Sequence, residues 1–442
     1  MEDADPTGGL AAFALIYFTF FLDNVLLTVL VPIIPDWVRG ADALALWSEQ
    51  DAPLAALLNS TVHQITHQTH TGGVGRAQAT VGAVLGAKAA AQLVAAAPAA
   101  GAVCRAGPAR VLRGANLLLA AAALAFWLCS RSGGGVAALA VGGARALQGC
   151  GAALAAVAGL TLAAGLHHRA LPALLGAVAL GVLVGYPFGG LASAMWRPGT
   201  PFLVLAVAFV TNFSMYPPAE SGAARVGVMA LVREARRGPA GAAAGCVLLT
   251  TSVMAALEPC LPLWLSETVH APRWQVGLAF LPDSAGYLLA ASFLGSCART
   301  HGHEPVAIIG QVVVGLSAMS LGVARSAWAL VPPQFLLGAG LGAADAALVP
   351  ALLAHAPHRR AAARSALLQA ASSAAYALGP AAGGALAWAW GVPAAMAALG
   401  GANLLYAGWL YRRHPLQRQL DDDDEDSDDA AELAPMQYTP LR

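Results

Sequence analysis

Residues 10–36 read LAAFALIYFTFFLDNVLLTVLVPIIPD, and the one charged side chain before the final residue is Asp23. About 20 apolar residues suffice to cross a hydrocarbon core of ~30 Å as a helix. No basic segment precedes the run, so it reads as a spanning helix rather than a cleaved signal peptide. A carboxylate at its centre costs at least ~2.5–3.5 kcal/mol on insertion and normally faces a partner or a water-filled cavity. The same problem recurs along the chain. Lys88, Arg145, Glu258 and Asp345 also lie inside apolar runs, and Lys88 is the sole lysine among 24 Lys plus Arg. Spaced charges of this kind mark a polar path through a multi-span protein.

Composition agrees. Hydrophobic residues make up 58% of the 442 residues and charged residues 11%, with mean hydropathy +0.63; soluble domains carry about 25% charged residues. A formal net charge of +0 argues against a nucleic-acid partner. The six cysteines fall in or near apolar runs or a short basic loop, so no disulfide framework is expected. No nucleophile–base pair or metal-ligand spacing appears, so neither an enzyme nor a cofactor or metal is expected.

Working outward from residues 10–36, apolar runs of spanning length recur about every 30 residues. They fall near 10–36, 77–100, 112–130, 135–165, 170–193, 200–216, 240–263, 275–298, 304–324, 329–353, 364–390 and 393–411. The expectation is an all-α membrane protein of twelve transmembrane helices. A weak repeat divides them: Gly181 to Gly190 in span 5 answers Gly379 to Gly384 in span 11. Gly149 and Gly151 in span 4 answer Gly338, Gly340 and Gly342 in span 10. Matching features six spans apart fit two six-helix halves related by an axis along the membrane normal. The halves would be 1–216 and 240–411, with a cytosolic linker at 217–239 and a disordered acidic tail at 412–442. Loops after even-numbered spans, with the tail, hold sixteen arginines against six on the other side. Both termini are therefore expected in the cytosol. The loop 37–76 then faces the other compartment, where Asn59 of Asn59-Ser60-Thr61 can accept a glycan. Asn212 in Asn212-Phe213-Ser214 would face the cytosol and stay bare. Tyr438-Thr439-Pro440-Leu441 has the shape of a signal for sorting adaptors.

Buried carboxylates can bind a proton or an organic cation, and competition between the two is the simplest form of antiport. Asp23, Glu258 and Asp345 are the candidates, unless Asn24 or a nearby hydroxyl merely satisfies Asp23. Pro259 and Pro262 beside Glu258 would open helix 7 locally. Lys88 and Arg145 would pair with the acids, functionally or as structural ion pairs alone. Asp283 follows Pro282 and is expected near the surface. Trp264, Phe280, Tyr287 and Tyr376 could line a cation site through their ring faces, or act as interfacial anchors.

Several segments resemble the vesicular amine transporters of the major facilitator superfamily. They are Leu22 to Pro35, Ala87-Lys88-Ala89, Ala144 to Gly149, Gly181 to Gly189, and Leu257-Glu258-Pro259 through Leu281-Pro282. The likeness is greater to the monoamine than to the acetylcholine branch. It implies the major facilitator fold and proton-coupled loading of monoamines such as serotonin, dopamine, noradrenaline or histamine into secretory or synaptic vesicles. On that likeness Asp23, Asn24 and Glu258 hold the amine, with Trp264, Phe280, Tyr287 and Tyr376 around it. Asp345, Lys88 and Arg145 serve coupling and gating.

The chain also departs from the family. Gln369 stands where relatives carry an aspartate thought to pair with the span 2 lysine, so Lys88 is expected to lack that span 11 partner. Asp283, where relatives have a small residue, is a candidate to compensate. Ala152, Ala153, Ala155 and Ala156 replace the serines of span 4, Thr251 an asparagine, Tyr186 a proline and His270 a lumenal cysteine. These departures leave two other readings: an antiporter for another organic cation (acetylcholine, a polyamine or a drug), or an amine-binding relative without coupling.

Overall fold

The computed structural model describes residues 6–30, 74–131, 136–166, 170–195, 199–215, 228–236, 238–268, 279–324, 326, 328–353, 356 and 358–413. Asn59, the loop around it, His270, the sorting-like tetrapeptide and the tail beyond 413 lie outside these residues. What is described is almost wholly helical. The membrane helices are α1 (Pro6–Val29), α2 (Val74–Ala106), α3 (Pro108–Cys129), α4 (Val136–Ala164), α5 (Ala170–Met195) and α6 (Thr200–Met215), then α7 (Gly238–Thr268), α8 (Leu281–His301), α9 (His303–Leu321) and α10 (Val331–Leu353). The final helix, His358–Arg413, is broken at Gly391, whose φ of 83° no continuous α-helix tolerates. It therefore counts as α11 (358–390) and α12 (392–413). Seven of these helices are long and apolar enough to cross a membrane, and α6 and part of α5 are shorter apolar helices. The limits differ from the sequence expectation by a few residues at most ends. The expected opening of α7 at Pro259 and Pro262 is absent, since α7 is assigned as helix through to Thr268. Membrane helices tolerate proline where neighbours and local adjustments satisfy the freed carbonyls.

The internal repeat, faint in sequence, is plain in the packing. Gly181 and Gly185 let α5 approach α1 at Phe21, Asn24 and Thr28, while Gly379 and Gly383 let α11 approach α7 at Ala255 and Ala256. In α4, Gly149 abuts the backbone of Lys88 on α2 and Gly151 abuts Leu119 on α3. In α10, Gly338 abuts the backbone of Asp283 on α8 and Gly340 abuts Gly310 on α9. A glycine–x–glycine step thus faces the same two neighbours in each half. Small residues serve this purpose in lipid, where close van der Waals contact replaces the hydrophobic drive between helices. The halves meet where α2 packs on α11 and α5 on α8, with α4 also touching α11.

Buried amides lock the outer helices of each half. In the first, Asn212 of α6 donates to Thr19 of α1 at 2.8 Å and to Asn116 of α3 at 3.0 Å. In the second, Gln311 of α9 donates to Asn403 of α12 at 2.7 Å and accepts from the Cys246 thiol of α7. All six side chains are at most 2% exposed. The amide of Asn212 is engaged inside the bundle, which gives a second reason for its sequon to stay unmodified.

The expected linker is itself partly helical over Val228–Arg236. Glu234 of this helix pairs with Arg364 at the start of α11 at 3.3 Å, and Arg364 also donates to the Leu352 carbonyl at 2.9 Å. The helix touches α2 and α7 as well, so it bridges both halves at one end of the bundle.

Replacing Asn212 or Asn403 by leucine leaves buried partners unpaired. Each change is expected to destabilise the detergent-solubilised protein by roughly 1–2 kcal/mol. Because the two locks lie in different halves, the shifts in thermal melting should add in the double variant.

Candidate functional site

The charged residues foreseen from the sequence converge between the two halves. Asp23 on α1 and Lys88 on α2 form an ion pair with N–O separation 3.9 Å, their side chains 14% and 10% exposed. Of the acids with which Lys88 was expected to pair, the structure sets Asp23 against it. The glycine contact of α4 on α2 at Lys88 helps set that helix against the bundle, and Asp23 on α1 faces the ammonium. Gln369, which stands where relatives carry the acid, turns instead to Ser373 at 3.2 Å on its own helix. Asn24 does not satisfy Asp23 either. Its amide donates to the Phe20 carbonyl at 2.8 Å, and its Cβ faces Gly181 of α5.

Arg145 on α4 is 3% exposed and donates to Gln148 at 3.3 Å one turn on. It lies within electrostatic reach of both Asp23 and Glu258. Gln148 is fully buried and also approaches Asp23. Glu258 is twenty residues into α7, yet its side chain is exposed. It sits in the field of Arg145 and Lys88, and its charge reaches Asp283 on α8.

The second half supplies the rest. Tyr287 on α8 donates its hydroxyl to Asp345 on α10 at 2.8 Å. Gly342, one turn before Asp345, abuts the Tyr287 backbone, which sets the register of that bond. Tyr376 on α11 lies within electrostatic reach of Tyr287. Phe280 is 6% exposed in an apolar cluster with Leu257, Leu261, Leu321 and Met396. The side chain of Trp264 lies outside the described residues.

Asp283 is not near the surface. It is 5% exposed, because its backbone is pressed against Gly338, seven residues inside α10 and so roughly 10 Å from that helix's first residue. The expectation treated Pro282 as the start of the helix and read depth from that end alone; α10 begins earlier at the same face and covers it. Sequence reading also passed over Gln148 and Gln334, both fully buried. The available signal was a lone amide in an apolar run, which is weaker than a lone charge.

Among the described residues, the charged groups of this site are two cations, Lys88 and Arg145, and four acids, Asp23, Glu258, Asp283 and Asp345. A net acidic path between two pseudo-equivalent helical halves can hold organic cations and protons.

Known proteins fit this geometry. Two solved structures superpose on nearly the whole chain: a human organic anion transporter with TM-score 0.72 at 15% identity, covering 91% of this chain and 99% of its own, and a proton:xylose symporter with TM-score 0.68 at 12% identity, covering 92% and 96%. Residues 243–437 match the Major Facilitator Superfamily model. The chain has the major facilitator superfamily fold. Within that fold it is similar to the synaptic vesicular amine transporter of Bos taurus and the chromaffin granule amine transporter of Rattus norvegicus, each 32% identical over 278 residues and 60% of this chain. It is 29% identical over 283 residues to the vesicular acetylcholine transporter of Homo sapiens. The resemblance read from the sequence is therefore shown, and the higher identity is to the amine transporters. The chain spans about half the length of these curated relatives, 54% of the bovine and 53% of the rat and human proteins.

Removing one member of a buried ion pair strands the other. Lys88→Met is expected to cost about 3 kcal/mol, and Asp23→Asn on top of it to restore most of that loss. A thermal double-mutant cycle in detergent measures the coupling; no recovery in the double variant would show that the pair is not formed.

Proposed function

We propose that this major facilitator is a proton-coupled antiporter that loads monoamines from the cytosol into an acidic secretory or synaptic vesicle. The observation that carries the reading is the Asp23–Lys88 pair set within electrostatic reach of Arg145 and Glu258. Glu258 offers a carboxylate to a cationic amine, and Asp23 offers a second once Lys88 releases it. A proton can occupy either acid in place of the amine. Coupling then follows from mutual exclusion, because amine and proton cannot hold the same carboxylate together. Tyr287 and Tyr376 lie beside the path, and the Tyr287–Asp345 bond can break and re-form as α8 and α10 change their environment. Lys88 and Arg145 keep the acids soluble in the bundle when neither ligand is bound. The named amine-transporting relatives support the substrate class.

A second reading is an antiporter for a different organic cation. Its motivation is α4, where Ala152, Ala153 and Ala155 are at most 4% exposed and offer no hydroxyl to a catechol or indole ring. The third reading, a relative that binds amine without coupling, rests on Gln369.

In acidified vesicles containing the protein, radiolabelled serotonin should accumulate and be released by a protonophore. Asp23→Asn and Glu258→Gln should each abolish accumulation; unchanged uptake in both variants would exclude the mechanism. Acetylcholine or a polyamine that accumulates while serotonin neither accumulates nor competes would select the second reading. Binding without accumulation, converted to uptake by Gln369→Asp, would select the third.

A further inference from the structure

The repeat assigns Asp283 a counterpart. Gly149 faces α2 and Gly151 faces α3; Gly338 faces α8 and Gly340 faces α9. Superposing these steps sets Asp283, pressed against Gly338, where the first half has Lys88, pressed against Gly149. It also sets Gln334, four residues before Gly338, where the first half has Arg145, four residues before Gly149. The first half thus offers two cations at these positions, while the second offers an acid and an amide.

Both second-half groups are buried with polar atoms unanswered. Asp283 is 5% exposed, and its Oδ1 has no hydrogen-bond partner among the described residues. Gln334 is fully buried, and neither its amide nitrogen nor its oxygen has one. Lying one turn from Gly338, Gln334 shares the α10 face that meets α8. Among the described residues, the titratable groups that bear on Asp283 are Glu258 from α7 and Tyr287 from its own helix, and neither is a cation. The Asp23 carboxylate has Lys88, Glu258 has the field of Arg145, and Asp345 has the Tyr287 hydroxyl. Among the described residues, Asp283 has an acid and a phenol in view. A carboxylate in that position requires a positive partner, and a space bounded by backbone contact with Gly338 favours the smallest one.

We propose that Asp283 is a proton-carrying residue of this transporter, a second exchange site beside Glu258 that moves one proton per cycle. This rests on the antiport reading above. The proton is bound when the site opens to the acidic compartment, forming the neutral carboxylic acid, and is released to the cytosol after the halves reorient. No bond other than O–H forms or breaks.

The test uses full-length protein reconstituted in lipid vesicles, with Asp283→Asn, Asp283→Glu and wild type. Infrared difference spectra across a pH titration read neutral carboxylic acid directly, without transport. Among the carbonyl bands of the protonated acids, one should be present in wild type, shifted in Asp283→Glu and missing in Asp283→Asn, while those of the other acids remain. In parallel, losing one exchanged proton should lower the limiting serotonin accumulation ratio about tenfold per pH unit of imposed gradient, while serotonin counterflow without a gradient persists in Asp283→Asn. Persistent counterflow also shows that the variant is folded. An identical band in Asp283→Asn and wild type, or an undiminished accumulation ratio in Asp283→Asn, overturns the proposal. If wild type accumulates no amine, the antiport reading fails on its own, and the infrared band alone then decides whether Asp283 carries a proton.

Discussion

Contact between helix backbones at a few glycines fixes the depth of the functional groups. α4 can press on α2 at Lys88, and α10 on α8 at Asp283 and Tyr287, because Gly149, Gly338 and Gly342 have no side chain. A methyl group at Gly149 or Gly338 would collide with backbone, which cannot swing aside as a flexible side chain can. Each contact sets one helix against the next to within a fraction of a turn. The Asp23–Lys88 pair and the Tyr287–Asp345 bond depend on that setting, since both join different helices across distances that a small slide would break.

With depth fixed, electrostatics selects partners. A buried ion pair gains little net stability over an apolar one, but an unpaired buried charge costs several kcal/mol. The first half resolves this internally, with Lys88 against Asp23 and Arg145 hydrogen-bonded to Gln148. Glu258 resolves it through the field of Arg145, so charge ties the two halves together. On the antiport proposed above, an ammonium or a proton at Glu258 would weaken that hold, and ligand occupancy would bear on the contact between halves.

Much of this was legible in the sequence. Twelve apolar runs give the helix count because hydrocarbon thickness fixes their length, and lone charges such as Lys88 and Asp345 announce themselves against an apolar background. The glycine steps gave the repeat, faintly, because small residues are also common where nothing packs closely. Partnership was legible only as a class, cation with acid, and not as the particular pair. That Lys88 turns to Asp23 depends on how three helices lean together, and the chain separation of these residues says nothing of it. Depth was misread at Asp283, since the nearer helix end was taken as the surface while α10 covers it. The polar locks at Asn116, Asn212, Gln311 and Asn403 were missed because a neutral amide in an apolar run costs too little to stand out.

The repeat also explains why the two halves are not interchangeable. Equivalent backbone positions, pressed against equivalent glycines, carry Lys88 in one half and Asp283 in the other. In the first half the lysine neutralises the nearby Asp23. In the second, Asp283 lies in the field of Glu258 and adds to its negative potential only when it has given up its proton. On the antiport proposed above, a cation between the halves would be drawn to the Glu258 side, while the Asp23 side would stay closed by its own lysine until that pair parts. Rocking of two similar halves about a central site needs some such asymmetry to tell loaded from empty, and unlike groups at one repeated position would supply it.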